Sequence, residues 1–218
     1  MNFHIEPYKN RTAENVIHWS RYILRQYGSH PAFYLYRNKG FFYIYDSYQI
    51  PSEQWREQLS SNQANDRRVY FVGLILKSND CRQLVSSGFD AAYSYFAANG
   101  FTEASTSHRW SSIVNECKPL PFIPSIGPGY IDTNIRPWNG ETTRSRNNGN
   151  YYSQMFADLP KDKEMIVTIT SFNEWHEGTQ IEPAIEKNTS GTTNYLSYHQ
   201  GPFTYISLTR ELLFPSRL

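Results

Sequence analysis

Two kinds of pattern alternate along the chain. Short apolar or aromatic runs predict β-strands. These runs occupy residues 3–8, 41–48, 69–76, 89–97, 121–127 and 165–171. Between them, apolar residues recur every three to four positions, which predicts helices with one apolar face. The predicted apolar stripes are Val16, Trp19, Ile23 and Tyr27; Cys81, Leu84 and Val85, followed by Gly88 as a C-terminal cap; Trp110, Ile113, Val114 and Cys117; Tyr152, Met155, Phe156 and Leu159; and Tyr205, Leu208, Thr209 and Leu212.

This alternation of strand and helix, repeated about six times, predicts an α/β fold with a parallel sheet wrapped by helices. A doubly wound open sheet and a closed (β/α)8 barrel both fit this order. The glycine-rich phosphate-binding motifs of nucleotide-binding open sheets are absent from the sequence, which favours the barrel. A barrel normally needs eight units. We therefore expect one domain over residues 1–218, an incomplete TIM-type barrel that corresponds to its C-terminal three quarters and lacks the first two βα units.

Composition and charge exclude several functions. The chain has 21 Lys and Arg against 20 Asp and Glu, so no basic excess indicates a nucleic-acid or anionic-membrane partner. The sequence has no run of about 18 apolar residues, so no membrane span is predicted. The N-terminus does not have the pattern of a signal peptide. Aromatic residues make up 16% of the chain; proteins that bind sugars often use such aromatic faces, but ordinary core packing explains the same composition. Cys81 and Cys117 lie on apolar helix faces, so we expect buried, reduced thiols rather than a disulfide.

The strongest chemical signal follows the last predicted strand. The segment after 165–171 contains Asn173, Glu174, Trp175, His176 and Glu177. In an α/β barrel, residues just past the carboxyl end of a strand face the active site. Carboxylates three residues apart point to opposite faces of an extended strand but to the same side of a helical turn. The two glutamates can therefore act on one substrate only if the backbone turns at Glu174, and Gly178 would help the chain turn back.

Paired carboxylates are the groups that glycoside hydrolysis requires. One must be protonated in order to donate to the leaving oxygen, and the other must be ionised. Apolar neighbours such as Trp175 would raise one pKa by desolvation, and mutual repulsion would separate the two values. The spacing alone is also compatible with two solvated loop residues. The residues by themselves do not decide between a catalytic pair and this alternative.

Four motifs, in this order, closely resemble glycoside hydrolase family 99, the endo-α-1,2-mannosidase family. They are FHIEPY at 3–8, FYIYDSY at 42–48, IPSIGPGYIDTNIRPWN at 123–139 and FNEWHEGTQIE at 172–182. The resemblance implies a (β/α)8 barrel. It also implies an endo-acting, retaining hydrolase that releases a glucosylated mannose from glucosylated high-mannose N-glycans. The resemblance to the Golgi-type members of the family, which are anchored in the membrane, implies action in the Golgi lumen. The sequence contains no H-E-x-x-H motif and no Cys/His cluster, so neither a metal site nor another cofactor is expected.

The resemblance also implies roles for individual residues. Glu174 would take the proton of the mannose 2-hydroxyl, whose oxygen attacks its own anomeric carbon to give a 1,2-anhydro sugar. Glu177 would protonate the leaving oxygen and then activate water. The remaining expected substrate-binding residues are Glu6, Tyr95, Tyr130, Trp138, Asn139, Asn173, Trp175 and His176.

Several of these residues also fit structural roles. Glu6 fits a structural ion pair equally well. Tyr95 also fits a place in the core, and His176 is expected to orient a neighbour rather than to bind a metal. Asp132 and Arg136 are expected to hold their loop in shape. For the whole chain, the alternatives are a non-catalytic carbohydrate-binding fragment and a related barrel hydrolase acting on another polysaccharide.

Overall fold

The computed structural model describes residues 2–60, 68–161, 165–185 and 198–214. The chain divides into two compact units. The first comprises Met1–Ser94 and Ser112–Ile123, and the second comprises Tyr95–Ser111 and Pro124–Leu218. The single domain expected from the sequence stays a prediction.

Within the described residues, strands and helices follow one another in the predicted order. The strands are β1 Phe3–Ile5, β2 Leu35–Tyr36, β3 Lys39–Ile44, β4 Val69–Leu74, β5 Ala91–Tyr93, β6 Phe122–Ile123, β7 Ser125–Ile126 and β8 Thr168–Ile169. The helices are α1 Ala13–Tyr27, α2 Ser52–Ser60, α3 Asp80–Ser87, α4 Trp110–Glu116, α5 Asn150–Ala157 and α6 Thr204–Leu213. The sequence patterns did not predict β2 or α2.

The first unit is built on a parallel sheet with the strand order β1-β3-β4-β5-β6. The centre of this sheet lies in the core, since Phe42, Ile44 and Val72 on β3 and β4 are fully buried. Strands buried on both faces are typical of parallel sheets covered by helices. Strand β2 adds to β3 in antiparallel orientation through a two-residue turn, in which Arg37 and Asn38 both have positive φ.

The buried face of α1 differs from the predicted stripe. Val16, Ile17 and Leu24 are buried, whereas Trp19 and Tyr27 are 50% and 52% exposed. The prediction for Trp19 and Tyr27 was therefore wrong. The apolar stripe runs along neighbouring positions that include a small polar residue. Ser20 can be buried there because its hydroxyl donates to the carbonyl of Val16 at 2.8 Å, a bond that satisfies its polar group within the helix.

The two cysteines form a disulfide, which corrects the expectation of reduced thiols. Cys81 on α3 and Cys117, just after α4, are both buried, as predicted. Both cysteines belong to the first unit, their Cα atoms are 5.1 Å apart, and their sulfur atoms are bonded. The helical period gives the inward direction of each side chain but not its partner, which lies 36 residues away in the sequence.

The second unit contains the short parallel pair β7 and β8. The predicted strands 121–127 and 165–171 are shorter here than expected. Pro124 lies between β6 and β7 and has no amide hydrogen for a ladder, although its carbonyl accepts a hydrogen bond from the amide of Thr168 at 3.0 Å. Helix α5 contributes Tyr152 and Met155 to the core, both fully buried. Among the helices described, none is both long enough and apolar enough to cross a membrane.

Candidate active site

The segment after β8 makes the turn that the glutamate spacing requires. The amide of Gly178 donates to the carbonyl of Trp175 at 3.1 Å, and the amide of Thr179 donates to the carbonyl of Glu174 at 3.2 Å. The hydroxyl of Ser171 accepts the amide of Glu174 at 2.9 Å, so the start of the turn is also held. Glu174 and Glu177 consequently lie on one reversal of the chain.

Gly178 allows this turn to pack closely against the loop between β7 and α5. Its φ is +63°, a conformation that residues with a side chain rarely adopt, and a Cβ atom there would lie 3.1 Å from the backbone nitrogen of Ile131. The amide of Ile131 donates to the carbonyl of Glu177 at 2.8 Å. The backbone of the acidic turn is thus fixed to the neighbouring loop at Glu177.

A buried carboxylate organises that neighbouring loop. Asp132 is fully buried, and its Oδ2 accepts three hydrogen bonds: from the hydroxyl of Tyr130 at 3.0 Å, from Nη1 of Arg136 at 3.0 Å and from the amide of Asn139 at 2.8 Å. Burial acts to raise the pKa of Asp132, but the bonds from Asn139, Arg136 and Tyr130 outweigh it and lower the pKa. Asp132 is therefore an ionised anchor that holds the loop in shape, as expected for this residue.

Arg136 also reaches the acidic turn. Its Nη1 lies 3.1 Å from Oε1 of Glu177, whose side chain is 22% exposed. Burial raises the pKa of Glu177; Arg136 opposes this effect, while the negative charges of Glu174 and Asp132 add to it. Glu174 itself is exposed. The two glutamates therefore differ in environment, which is the condition for one to carry a proton while the other is ionised.

Tyr130 is affected by the charges of the same residues, Glu177, Asp132 and Arg136. Its pKa is raised, first by burial and then by the charge of Glu177 and its bond to Asp132. The phenol is therefore neutral around pH 7 and can act as a hydrogen-bond donor.

The other expected residues of the second unit differ in exposure. Asn173 and His176 are exposed, and Trp138 is 81% exposed. Trp175 is half-buried, and its indole N–H donates to Oε2 of Glu182 at 2.9 Å. Tyr95 has a φ of +57°, and its carbonyl accepts the hydroxyl of Thr170 at 2.6 Å.

The sequence reasoning did not single out Arg146 or Glu182. Arg146 is buried, and its Nη2 donates to the carbonyls of Gly178 at 2.8 Å and Gln180 at 2.7 Å, so it holds the segment that leaves the acidic turn. Its guanidinium lies 4.5 Å from the ring centroid of Tyr205. No local pattern marks these contacts, because the partners lie more than 30 residues from Arg146 in the sequence.

Glu6 lies in the first unit. Its Oε1 is 2.8 Å from Nδ1 of His4, and Nε2 of His4 is 2.8 Å from the hydroxyl of Tyr93. Burial lowers the pKa of His4, against the opposing effect of Glu6, so the ring is neutral at pH 7. With Nδ1–H donating to Glu6, the Tyr93 hydroxyl donates to Nε2. The contact between His4 and Glu6 is therefore a hydrogen bond with a neutral ring, and the role of Glu6 in binding sugar stays a prediction. Across the described residues, no group of three His, Cys, Asp or Glu side chains could hold a metal.

Comparison with known proteins identifies the family. The profile of Glycosyl hydrolase family 99 matches residues 1–213, and the chain belongs to this family. It is 42% identical to the mouse glycoprotein endo-alpha-1,2-mannosidase and 46% identical to the human glycoprotein endo-alpha-1,2-mannosidase-like protein, over 97% and 96% of its own length. In both comparisons it covers 48% of the relative, so it spans about half the length of these curated proteins.

The fold agrees with a solved structure of the family. The chain superposes on the GH99 endo-alpha-mannosidase of Bacteroides thetaiotaomicron with a TM-score of 0.90 and 43% identity, over 97% of this chain and 68% of that one. Both the family and the fold class expected from the sequence, part of an α/β barrel, are thus confirmed.

Proposed function

We propose that this chain carries the catalytic turn of an endo-acting, retaining α-mannosidase. The observation that carries the proposal is the placement of two unlike glutamates on one turn: Glu174 is exposed, whereas Glu177 is largely buried with a raised pKa. The family assignment supplies the reaction class, and the relatives named as glycoprotein endo-alpha-1,2-mannosidases support an N-glycan substrate.

In the proposed reaction, Glu174 accepts the proton of the mannose 2-hydroxyl. The freed oxygen forms a bond to its own anomeric carbon while the bond from that carbon to the leaving oxygen breaks. Glu177 gives its proton to the leaving oxygen, and a 1,2-anhydro sugar remains. Glu177 then accepts a proton from water as the water oxygen bonds to the anomeric carbon and the bond between that carbon and the 2-oxygen breaks. The 2-oxygen recovers its proton from Glu174, and two displacements at one carbon retain its configuration.

The surrounding residues are proposed to bind the sugar. Trp138 offers an exposed aromatic face, which suits the apolar face of a sugar ring. Tyr130 and Asn139 are tied to Asp132, so their positions are fixed before substrate arrives. The remaining proposed contacts in this unit are Tyr95, Asn173, Trp175 and His176. Glu6, in the first unit, is proposed separately as a sugar-binding residue.

We also propose a glucosylated high-mannose N-glycan as substrate and the Golgi lumen as the place of action. The relatives' names connect the family with glycoproteins. The disulfide between Cys81 and Cys117 supports an oxidising compartment of the secretory pathway, since cytosolic proteins rarely keep structural disulfides.

The test is to incubate the chain with a glucosylated high-mannose glycan and to identify the released sugar by mass spectrometry. The proposal expects a glucosylated mannose, and proton NMR during the reaction should show that the anomeric configuration is retained at release. Binding of a mannobiose by calorimetry without any cleavage would instead indicate a carbohydrate-binding fragment. Cleavage of another mannan with no action on the N-glycan would indicate a related polysaccharide hydrolase.

A further inference from the structure

The guanidinium of Arg136 lies between two carboxylates of very different exposure. Its Nη1 is 3.0 Å from Oδ2 of Asp132 and 3.1 Å from Oε1 of Glu177. Asp132 is fully buried and is itself held by Tyr130 and Asn139. Arg136 is therefore anchored on the Asp132 side and presents a fixed N–H donor to Glu177.

This contact distinguishes the two oxygens of Glu177. Because Oε1 faces an N–H donor, it must offer a lone pair there and cannot direct a proton towards Arg136. Within the part of the chain that the structure describes, Oε2 has no hydrogen-bond partner. A carbonyl oxygen is a better acceptor than the oxygen that carries the proton, so the N–H donor at Oε1 favours Oε2 as the protonated oxygen of Glu177.

We propose that Arg136 is a positioning residue for the acid of the reaction: tethered to Asp132, it holds Oε1 of Glu177 and leaves Oε2 to carry the proton to the leaving oxygen. The inference rests on the proposed function, because it assigns the acid role to Glu177. It extends that function by naming the oxygen that transfers the proton and the residue that selects it.

The charges around Glu177 give Arg136 a second effect. The groups that act on this carboxyl are Arg136, Asp132 and Tyr130 from the neighbouring loop and Glu174 from its own turn, with exposed His176 adjacent in sequence. Among these groups, Arg136 is the one that lowers the pKa of Glu177, against burial and two negative charges. Arg136 thereby keeps the carboxyl able to release its proton in the first step and to accept one from water in the second.

The test compares wild type with Arg136→Gln and Arg136→Met, which both remove the charge, and with Arg136→Lys, which keeps it. Arg210→Gln, at an exposed arginine on α6, is the matched control. The titration of Glu177 is followed by carboxyl-carbon NMR and assigned by the signal that is lost in Glu177→Gln. Circular dichroism establishes which variants are folded, and one folded charge-removing variant is sufficient.

We expect the Glu177 pKa to rise in the Gln and Met variants, to return towards the wild-type value in the Lys variant and to stay unchanged in the Arg210 control. On a substrate with a poor leaving group, kcat should fall about tenfold or more at nearly constant KM, and the high-pH limb of the rate should move to higher pH. A wild-type Glu177 pKa in a folded Gln or Met variant would overturn the proposal. The NMR titration does not require turnover. An inactive wild-type chain would therefore refute the proposed function, whereas the titration would still show whether Arg136 acts on Glu177.

Discussion

Glu177 is a carboxyl group whose surroundings oppose its ionisation, while Glu174 lies exposed three residues earlier on the same turn. Burial and the negative charges of Glu174 and Asp132 raise the pKa of Glu177, and Arg136 limits the increase. Separation of two titratable groups by environment is the arrangement that acid–base pairs in glycoside hydrolysis require. The roles proposed for these residues lead to two predictions.

The first prediction concerns the leaving group. Glu177→Gln cannot donate a proton, so we expect turnover to fall by about 10²- to 10⁴-fold on a substrate with a poor leaving group. The loss should be much smaller with an activated leaving group that departs without protonation. Glu141→Gln, at an exposed glutamate of the same unit, is the control and should retain activity. Equal losses on both substrates would remove Glu177 from the acid role. Initial rates on the two substrates provide the measurement.

The second prediction concerns stability and pH. Because the pKa of Glu177 is raised on folding, the folded chain holds more of this proton than the unfolded chain between the ordinary and the raised value. Stability contributed by this group therefore falls as pH rises through that window. Glu177→Gln lacks the titration, so its unfolding free energy relative to wild type should increase between about pH 4 and about pH 7. Urea unfolding at both pH values measures this difference, and a constant difference would contradict the raised pKa.

At the scale of elements, the acidic turn depends on contacts with other parts of its own unit. The loop between β7 and α5 meets it at Glu177 through Ile131, and Arg146 holds the carbonyls of Gly178 and Gln180 on its far side. The turn is short and exposed at Glu174, so these contacts rather than a hydrophobic core determine its shape. Gly178 is the residue that permits the close approach.

We therefore predict that Gly178→Ala weakens both the fold and the site. Its positive φ and the 3.1 Å separation of an added Cβ from the backbone of Ile131 should cost about 1–3 kcal/mol of unfolding free energy, and kcat should fall as the turn shifts. Gly140→Ala is the control, since nothing lies within 4 Å of its Cβ position. Thermal unfolding and initial rates measure both effects. A Gly178→Ala variant as stable and active as the control would show that the close packing is not required.

At the scale of the whole molecule, the first unit is secured by a covalent link between segments distant in sequence. The disulfide between Cys81 and Cys117 spans 36 residues and joins α3 to the end of α4. A cross-link of this kind stabilises chiefly by restricting the unfolded chain.

Removal of this disulfide should lower the free energy of unfolding without changing any residue of the acidic turn. We expect the double substitution Cys81→Ser and Cys117→Ser to reduce the unfolding free energy by about 3–4 kcal/mol. A reductant should destabilise wild type by a similar amount and leave the double variant unchanged. Calorimetry measures the loss. Labelling of two free thiols in the native, unreduced protein would contradict the disulfide.

The hydrophobic periodicity and the local motifs of the sequence determined much of what can be said about the fold and family of this protein. They gave the order of strands and helices, the turn required at Glu174 and, through four motifs, the family. They failed for the buried face of α1, where the predicted stripe includes Trp19 but Ser20 is the buried residue, with its hydroxyl satisfied inside the helix. They also failed for the cysteines, whose pairing depends on a partner distant in the chain.

Only the tertiary structure decided which side chains meet. It brought Cys81 to Cys117, and it placed Arg136 between the buried Asp132 and Glu177. Periodicity records the direction in which a residue points because that direction follows from local backbone geometry. The identity of the partner depends on how distant segments pack, and the ionisation of Glu177 depends on the burial and charges that this packing creates.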